Sequence, residues 1–214
     1  MRDVRESSPV PSPAVHARVV LLAGPSGSGK STLAAHLGLP VLTLDDFYRE
    51  GDDPLLPRDA LGRPDWDAED SWHTDDALRA VVELATTGKV EAPVYALGED
   101  RRVGCHAVTA DGPFIAEGLF ADRLVAGCRE AGVLLDAVVL APGAAVTFAR
   151  RFARDVAEAR KPVPLLLRRG LRLMREHAAL VRRCGTAGMR ALTPAQARTE
   201  LAALVGTPAT PSRT

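Results

Sequence analysis

The sequence predicts a three-layer α/β fold built on a central parallel sheet. Three observations carry this. Apolar strand-like runs alternate with amphipathic helical stretches along the chain. The strand runs are apolar throughout, as strands covered on both faces must be. The first of them, Val19-Val20-Leu21-Leu22-Ala23, passes straight into a glycine-rich turn, GPSGSGKS at Gly24–Ser31, and then into a helix start at Ser31-Thr32-Leu33-Ala34.

Taken in order, a strand over Arg18–Ala23 precedes that turn, and a helix from about Lys30 to Leu37 stops near Gly38 and Pro40. A second strand, Val41–Leu44, ends in Asp45-Asp46-Phe47-Tyr48. Gly51–Asp70, rich in Asp, Pro and Gly, reads as a long loop of the kind that carries function or stays disordered. A helix from about Thr74 to Thr86 has Asp75 and Asp76 in its first turn and an apolar face of Leu78, Val81, Val82 and Ala85; Gly88 ends it. Val90–Tyr95 is a short strand, with a hairpin return to about Cys105–Thr109. A strand over Pro113–Ala116 ends at Glu117-Gly118, a helix covers roughly Ala121–Ala131, and Ala137–Ala141 is another buried strand. Phe148, Phe152 and Val156 share one face of a helix over Ala144 to about Arg160. Pro162 and Pro164 break it, a very basic helix follows over Leu165–Arg183, and Pro194–Val205 is the last. The Ser- and Pro-rich start up to His16 is expected to be a disordered tail and 207–214 a frayed end. Residues 17–206 form one domain, with a helical, arginine-rich lid at about 150–185.

The glycine-rich turn carries the most chemistry. Glycines reach backbone angles closed to other residues, so successive N–H groups can converge on one anion, and the helix behind adds its positive end. Gly24, Pro25, Ser26, Gly27, Ser28, Gly29, Lys30, Ser31 and Thr32 form this cradle, a P-loop of the NTPase type; Lys30 reaches the terminal phosphates and the Ser31 hydroxyl suits Mg²⁺. The expected ligands are ATP and Mg²⁺.

Composition narrows the rest. The chain is 46% hydrophobic and 25% charged, the balance of a folded domain. No apolar run approaches membrane-span length, and the first residues lack the apolar centre of a secretory signal. Three scattered cysteines, Cys105, Cys128 and Cys184, make neither a disulfide framework nor a zinc site, and fit a reducing cytoplasm. Net charge is zero but uneven: residues 41–80 hold 12 acids and 4 bases, and residues 150–190 hold 12 bases and 3 acids. Either two ligand regions of opposite charge or two solvated surfaces produce such a pattern.

In an open parallel sheet, ligands sit beyond the C-terminal strand ends, where the P-loop, Asp45-Asp46 and Glu117 all fall. Glu117 and Ser31 are candidate Mg²⁺ holders, Asp45 a candidate base, and Arg151 and Arg154, three apart, a candidate phosphoryl clamp. Plainer roles stand beside these. Asp45 and Asp46 also suit a turn cap, Glu117 a loop carboxylate, and Arg151 and Arg154 suit pairs with Asp155 and Glu158.

The segments GPSGSGKST, LDDFYRE, PDWDAEDSW, GKVEAPVYA, FIAEGLFA and RRFARDVAEARK stand in the order seen in uridine kinases, which the chain resembles from about Val19 to Lys161; phosphoribulokinase and one pantothenate kinase type are more distant cousins. The resemblance implies ATP-dependent phosphorylation of a nucleoside 5′-hydroxyl, uridine or cytidine first, as in pyrimidine salvage. It makes Asp45 the group that activates that hydroxyl and Tyr48 an aromatic lining the nucleoside pocket. It sets Trp66 near the base, Asp67 on the ribose hydroxyls, Tyr95 in the P-x-Y segment and Glu117 in the metal site. Arg151 and Arg154 match lid arginines, and Lys161 stands in place of a later one. The chain departs from the family where Ala68-Glu69 replaces His-Pro, and where Ala96–Arg102 replaces the segment that reads the pyrimidine. Those departures keep open a kinase for another small hydroxyl compound, such as a vitamin precursor or sugar. A nucleotide-binding switch, or an NTPase associated with nucleic acid, is a third reading; against it stand zero net charge, the lack of an Asn-Lys-x-Asp motif and a packing face of Leu166, Leu167, Met174, Ala178 and Val181 in the basic helix. The expected partner is a small nucleoside, with no nucleic acid or membrane, and a homo-oligomer left open.

Overall fold

The computed structural model describes residues 15–25, 27–141 and 178–206. Its centre is a five-stranded, all-parallel sheet in the order β2-β5-β1-β6-β7. The strands are β1 (Val19–Ala23), β2 (Val41–Thr43), β5 (Phe114–Glu117), β6 (Leu134–Leu140) and β7 (Arg190–Leu192). A separate antiparallel hairpin joins β3 (Lys89–Ala96) to β4 (Arg101–Thr109). The helices are α1 (Lys30–Leu37), α2 (Thr74–Thr87), α3 (Val125–Glu130), α4 (residues 178–186) and α5 (Pro194–Val205). No helix among the described residues is long and apolar enough to cross a membrane.

Every residue of β1 is buried, which is why its sequence is apolar without alternation. Its side chains still divide by parity. Val19, Leu21 and Ala23 join a cluster with Phe114, Ala116 and Val139 on the side of α2, α3 and the hairpin. Val20 and Leu22 join Ile115, Val138 and Leu140 against Leu33 and Leu37 of α1 and Ala197 and Leu201 of α5. Helices on both faces of the sheet make the three layers the sequence predicts.

The differences from the sequence reading lie at element edges and in one added strand. Leu44 opens a 3-10 turn, Leu44–Phe47, instead of ending β2. Residues 121–124 are likewise a 3-10 turn before the shorter α3. β6 starts at Leu134, and β7 is a strand the reading did not include. β7 pairs in parallel with β6, and an ion pair at 2.6 Å between Arg190 and Asp136 bridges the two strands. The His16 and Ala17 amides both donate to the Ala85 carbonyl, so contact with the domain begins just before the expected boundary. Of the two expected helices over 144–160 and 165–183, only residues 178–183 fall within the described chain, and these are helical.

Candidate active site

The P-loop leaves β1 through glycine conformations. Gly24, Gly27 and Gly29 have φ of +154°, +76° and +99°, values L side chains rarely adopt. A Cβ on Gly24 would also lie 2.6 Å from Ser28 Oγ, which would have to turn away. Gly29 stands at the N-cap of α1 with no side chain to accept from the first-turn amides, which leaves those N–H groups for an anion. Lys30 Nζ folds over the loop and donates to the Gly24 carbonyl at 2.9 Å. Ser28 Oγ is buried without a partner among the described residues. Ser31 and Thr32 are exposed on the first turn of α1, beside a half-buried Pro25.

Glu117 is the last residue of β5 and lies in register with Leu22 of β1 on one side and Thr43 of β2 on the other. Ser31 Oγ donates to its Oε1 at 3.1 Å. Its Oε2 is buried and has no partner among the described residues. A hydroxyl and a carboxylate with a spare oxygen are hard donors of the kind Mg²⁺ takes when phosphate and water complete its shell, so these residues fit that ion. Among the described residues, no group of three His, Cys, Asp or Glu side chains is arranged to hold a metal.

Asp45 sits in the 3-10 turn beyond β2, where its Oδ1 accepts from the Leu119 amide at 3.2 Å. The approach depends on Gly118. A Cβ there would lie 2.7 Å from Leu44 Cβ and 3.0 Å from Asp45 Oδ1. The Trp72 indole fixes the same turn by donating to the Leu44 carbonyl at 2.7 Å in the interior. Asp46 turns the other way: its Oδ1 accepts from the Tyr95 amide at 3.0 Å, and burial raises its pKa above the usual carboxylate value. The adjacent carboxylates thus split, one onto the Leu119 amide just beyond β5, one onto the Tyr95 amide of the hairpin.

An aromatic wall flanks Asp45. Tyr48 packs edge-on against Trp66 at 5.8 Å between centroids, and at 6.1 Å from both Tyr95 and Phe120. Burial raises the pKa of the Tyr48 phenol, and the nearby Asp45 and Asp67 carboxylates raise it further. Trp66 is half-buried and Asp67 exposed. The Tyr95 hydroxyl donates to the Arg49 carbonyl at 2.7 Å; burial, then Asp100 and Glu50, push it up to about 12. A cavity of about 400 Å³ lined by Glu50, Asp52, Asp53, Pro54, His73 and Arg102 is formed by none of these groups.

The P-loop, Glu117, Asp45, Tyr48, Trp66 and Tyr95 therefore form one connected set, and Asp67 lies within electrostatic reach of it. Ser26, Arg151, Arg154 and Lys161 lie outside the described residues. The sequence reading missed Phe120, Asp122 and Arg183. Arg183 bonds both Asp122 and Leu119 O, partners more than sixty positions away, and no local pattern could announce them.

A parallel sheet in this order, a glycine-rich turn between its central strand and α1, and carboxylates at the neighbouring strand ends define a P-loop nucleotide-binding fold. The sequence is similar to uridine kinases: that of Schizosaccharomyces pombe is 30% identical over 149 residues, covering 65% of this chain and 32% of that protein. The chain thus spans about a third of the length of that curated relative. No family model matches. Solved structures similar to it include a possible uridine kinase from Bacillus stearothermophilus, with 21% identity, a TM-score of 0.45, and 63% of this chain and 76% of that one covered. Phosphoribulokinase from Rhodobacter spheroides has 15% identity and a TM-score of 0.48, with 76% and 64% covered.

Proposed function

We propose that this chain is an ATP-dependent kinase that phosphorylates an alcohol of a small molecule, the 5′-hydroxyl of uridine or cytidine first. The observation that supports the reading is the run of contacts from Ser31 to Glu117 and, along the chain through Gly118 and Leu119, to the Asp45 carboxylate. In this reading the loop amides and Lys30 hold the polyphosphate. The Asp45 carboxylate accepts the proton of the acceptor hydroxyl as its oxygen bonds to the γ-phosphorus and the bond to the ADP oxygen breaks. Ser31 and Glu117 hold Mg²⁺, which supplies neutralising charge on the phosphates when bound. Tyr48, Trp66 and Tyr95 give a flat base an aromatic surface, and Asp67 accepts ribose hydroxyls. Arg151, Arg154 and Lys161 add positive charge to the transferred group. A neutral nucleoside suits the acidic stretch around Asp45–Asp70 better than a phosphorylated one. Three free cysteines suit a reducing cytoplasm.

One observation keeps a different acceptor open. In the hairpin tip that replaces the family's base-reading segment, Glu99 and Arg101 pair with each other and Leu97 is 72% exposed. The Glu99–Arg101 pair is engaged within the tip itself, which suits a sugar or vitamin precursor as well as a pyrimidine. ADP release and thermal stabilisation measured across a panel of nucleosides, sugars and vitamin precursors, the latter with a nonhydrolysable ATP analogue, separate the two. Uridine or cytidine giving the largest response supports the first reading. A response to another hydroxyl compound alone supports the second, and no response to any, in folded protein, overturns both.

A further inference from the structure

We infer that Arg183 is a positioning residue that holds Leu119, and through it the Asp45 carboxylate, in place. The inference rests on the reading of Asp45 as the base. Arg183, in α4, makes a forked pair with Asp122: Nε donates to Oδ2 at 2.8 Å and Nη2 to Oδ1 at 3.0 Å. The Asp122 side chain is only 4% exposed, so Arg183 is what makes its charge tolerable there. Pairing alone needs no more than this. Yet Nη2 also donates to the Leu119 carbonyl at 3.0 Å, while the Leu119 amide donates to Asp45 Oδ1 at 3.2 Å.

Leu119 is thus gripped on its carbonyl side by a guanidinium and offers its amide side to the carboxylate. The guanidinium carbon also lies 5.3 Å from the centre of the Phe120 ring. Phe120 packs on Tyr48 and on Trp72, and Trp72 holds the Leu44 carbonyl just before Asp45. Two routes, one through backbone and one through rings, therefore run from Arg183 to the turn that carries Asp45. A lysine keeps the charge opposite Asp122 but has one nitrogen, and cannot span both Asp122 oxygens and the Leu119 carbonyl.

The test uses the full chain with Arg183→Lys and Arg183→Gln, each alone and combined with Asp45→Asn, and Arg182→Lys as a control at the exposed neighbour. Two readouts are taken: kcat and KM from ADP release, and the Leu119 amide resonance in ¹⁵N–¹H spectra. The expected result is a folded Arg183→Lys protein whose kcat falls about tenfold or more with KM for ATP within about twofold, and no comparable further loss when the change is made on Asp45→Asn. The Leu119 resonance moves in both Arg183 variants and stays in Arg182→Lys. Unchanged kcat in Arg183→Lys, losses that multiply with those of Asp45→Asn, or an unmoved Leu119 resonance overturns the inference. If the unaltered protein releases no ADP with any acceptor, the kinase reading fails by itself, and the amide resonance still decides whether Arg183 positions Leu119.

Discussion

The Ser31 hydroxyl and the Glu117 carboxylate meet at 3.1 Å, joining the first turn of α1 to the end of β5 across 86 positions of sequence. The bond uses one Glu117 oxygen and leaves the other buried and, among the described residues, unpartnered. A buried carboxylate oxygen without a donor is costly unless a cation completes it. Replacing Glu117 with Ala is therefore expected to raise the Mg²⁺ concentration for half-maximal ADP release by roughly tenfold or more. Titration of Mg²⁺ at fixed ATP checks this, and an unchanged midpoint counts against the metal role.

Gly118 is the spacer that lets Asp45 approach. Gly118→Ala puts a methyl 2.7 Å from Leu44 Cβ, an atom fixed to the backbone that cannot swing away. A cost of about 1–3 kcal/mol is expected, together with a larger fractional loss of kcat than of ATP affinity, because the displaced atoms belong to the Asp45 turn. Denaturant unfolding and steady-state kinetics on the same preparation measure both.

Trp72 is expected to matter beyond its volume. Trp72→Phe keeps most of the apolar surface but strips the buried Leu44 carbonyl of its donor, at a cost of about 1–3 kcal/mol. A melting temperature equal to that of the unaltered protein would mean that another donor reaches this carbonyl.

Asp46 gives a pH prediction with a definite sign. Burial raises its pKa from 3.8, so between that value and the raised one the folded state binds protons more readily than the unfolded state. Its contribution to stability therefore falls as pH rises through that window, and the penalty is fully present at neutral pH. Asp46→Asn removes the charge while an amide oxygen still accepts from the Tyr95 N–H. The variant is expected to melt at or above the unaltered protein at neutral pH, with the difference shrinking as pH falls through the window. A clear loss of melting temperature at neutral pH would show that the charge itself is needed.

The parts of this account legible in the sequence are those with local causes. The P-loop reads directly because its glycines, Lys30 and Ser31 act within one turn, and β1 reads directly because burial on both faces demands an unbroken apolar run. The positions of Asp45 and Glu117 are legible because each follows or ends an apolar strand run, and strand ends are where a parallel sheet gathers its ligands. β7 escaped because three residues, two of them exposed, carry no periodic signal; the strand exists through pairing with β6. The Thr193 capping box that follows it marks only the helix. The opposite fates of Asp45 and Asp46 were equally hidden, since the Leu119 and Tyr95 amides that separate them lie 74 and 49 positions away.

The most direct test of the account is the turnover of Asp45→Asn, a change that preserves shape and an acceptor for the Leu119 amide but removes the proton acceptor. With ATP, Mg²⁺ and the acceptor that best stimulates the unaltered protein, ADP release is expected to fall by about a hundredfold or more, with ATP binding and melting temperature little changed. Full turnover in Asp45→Asn would contradict the assignment of Asp45 as the base and the reaction built on it.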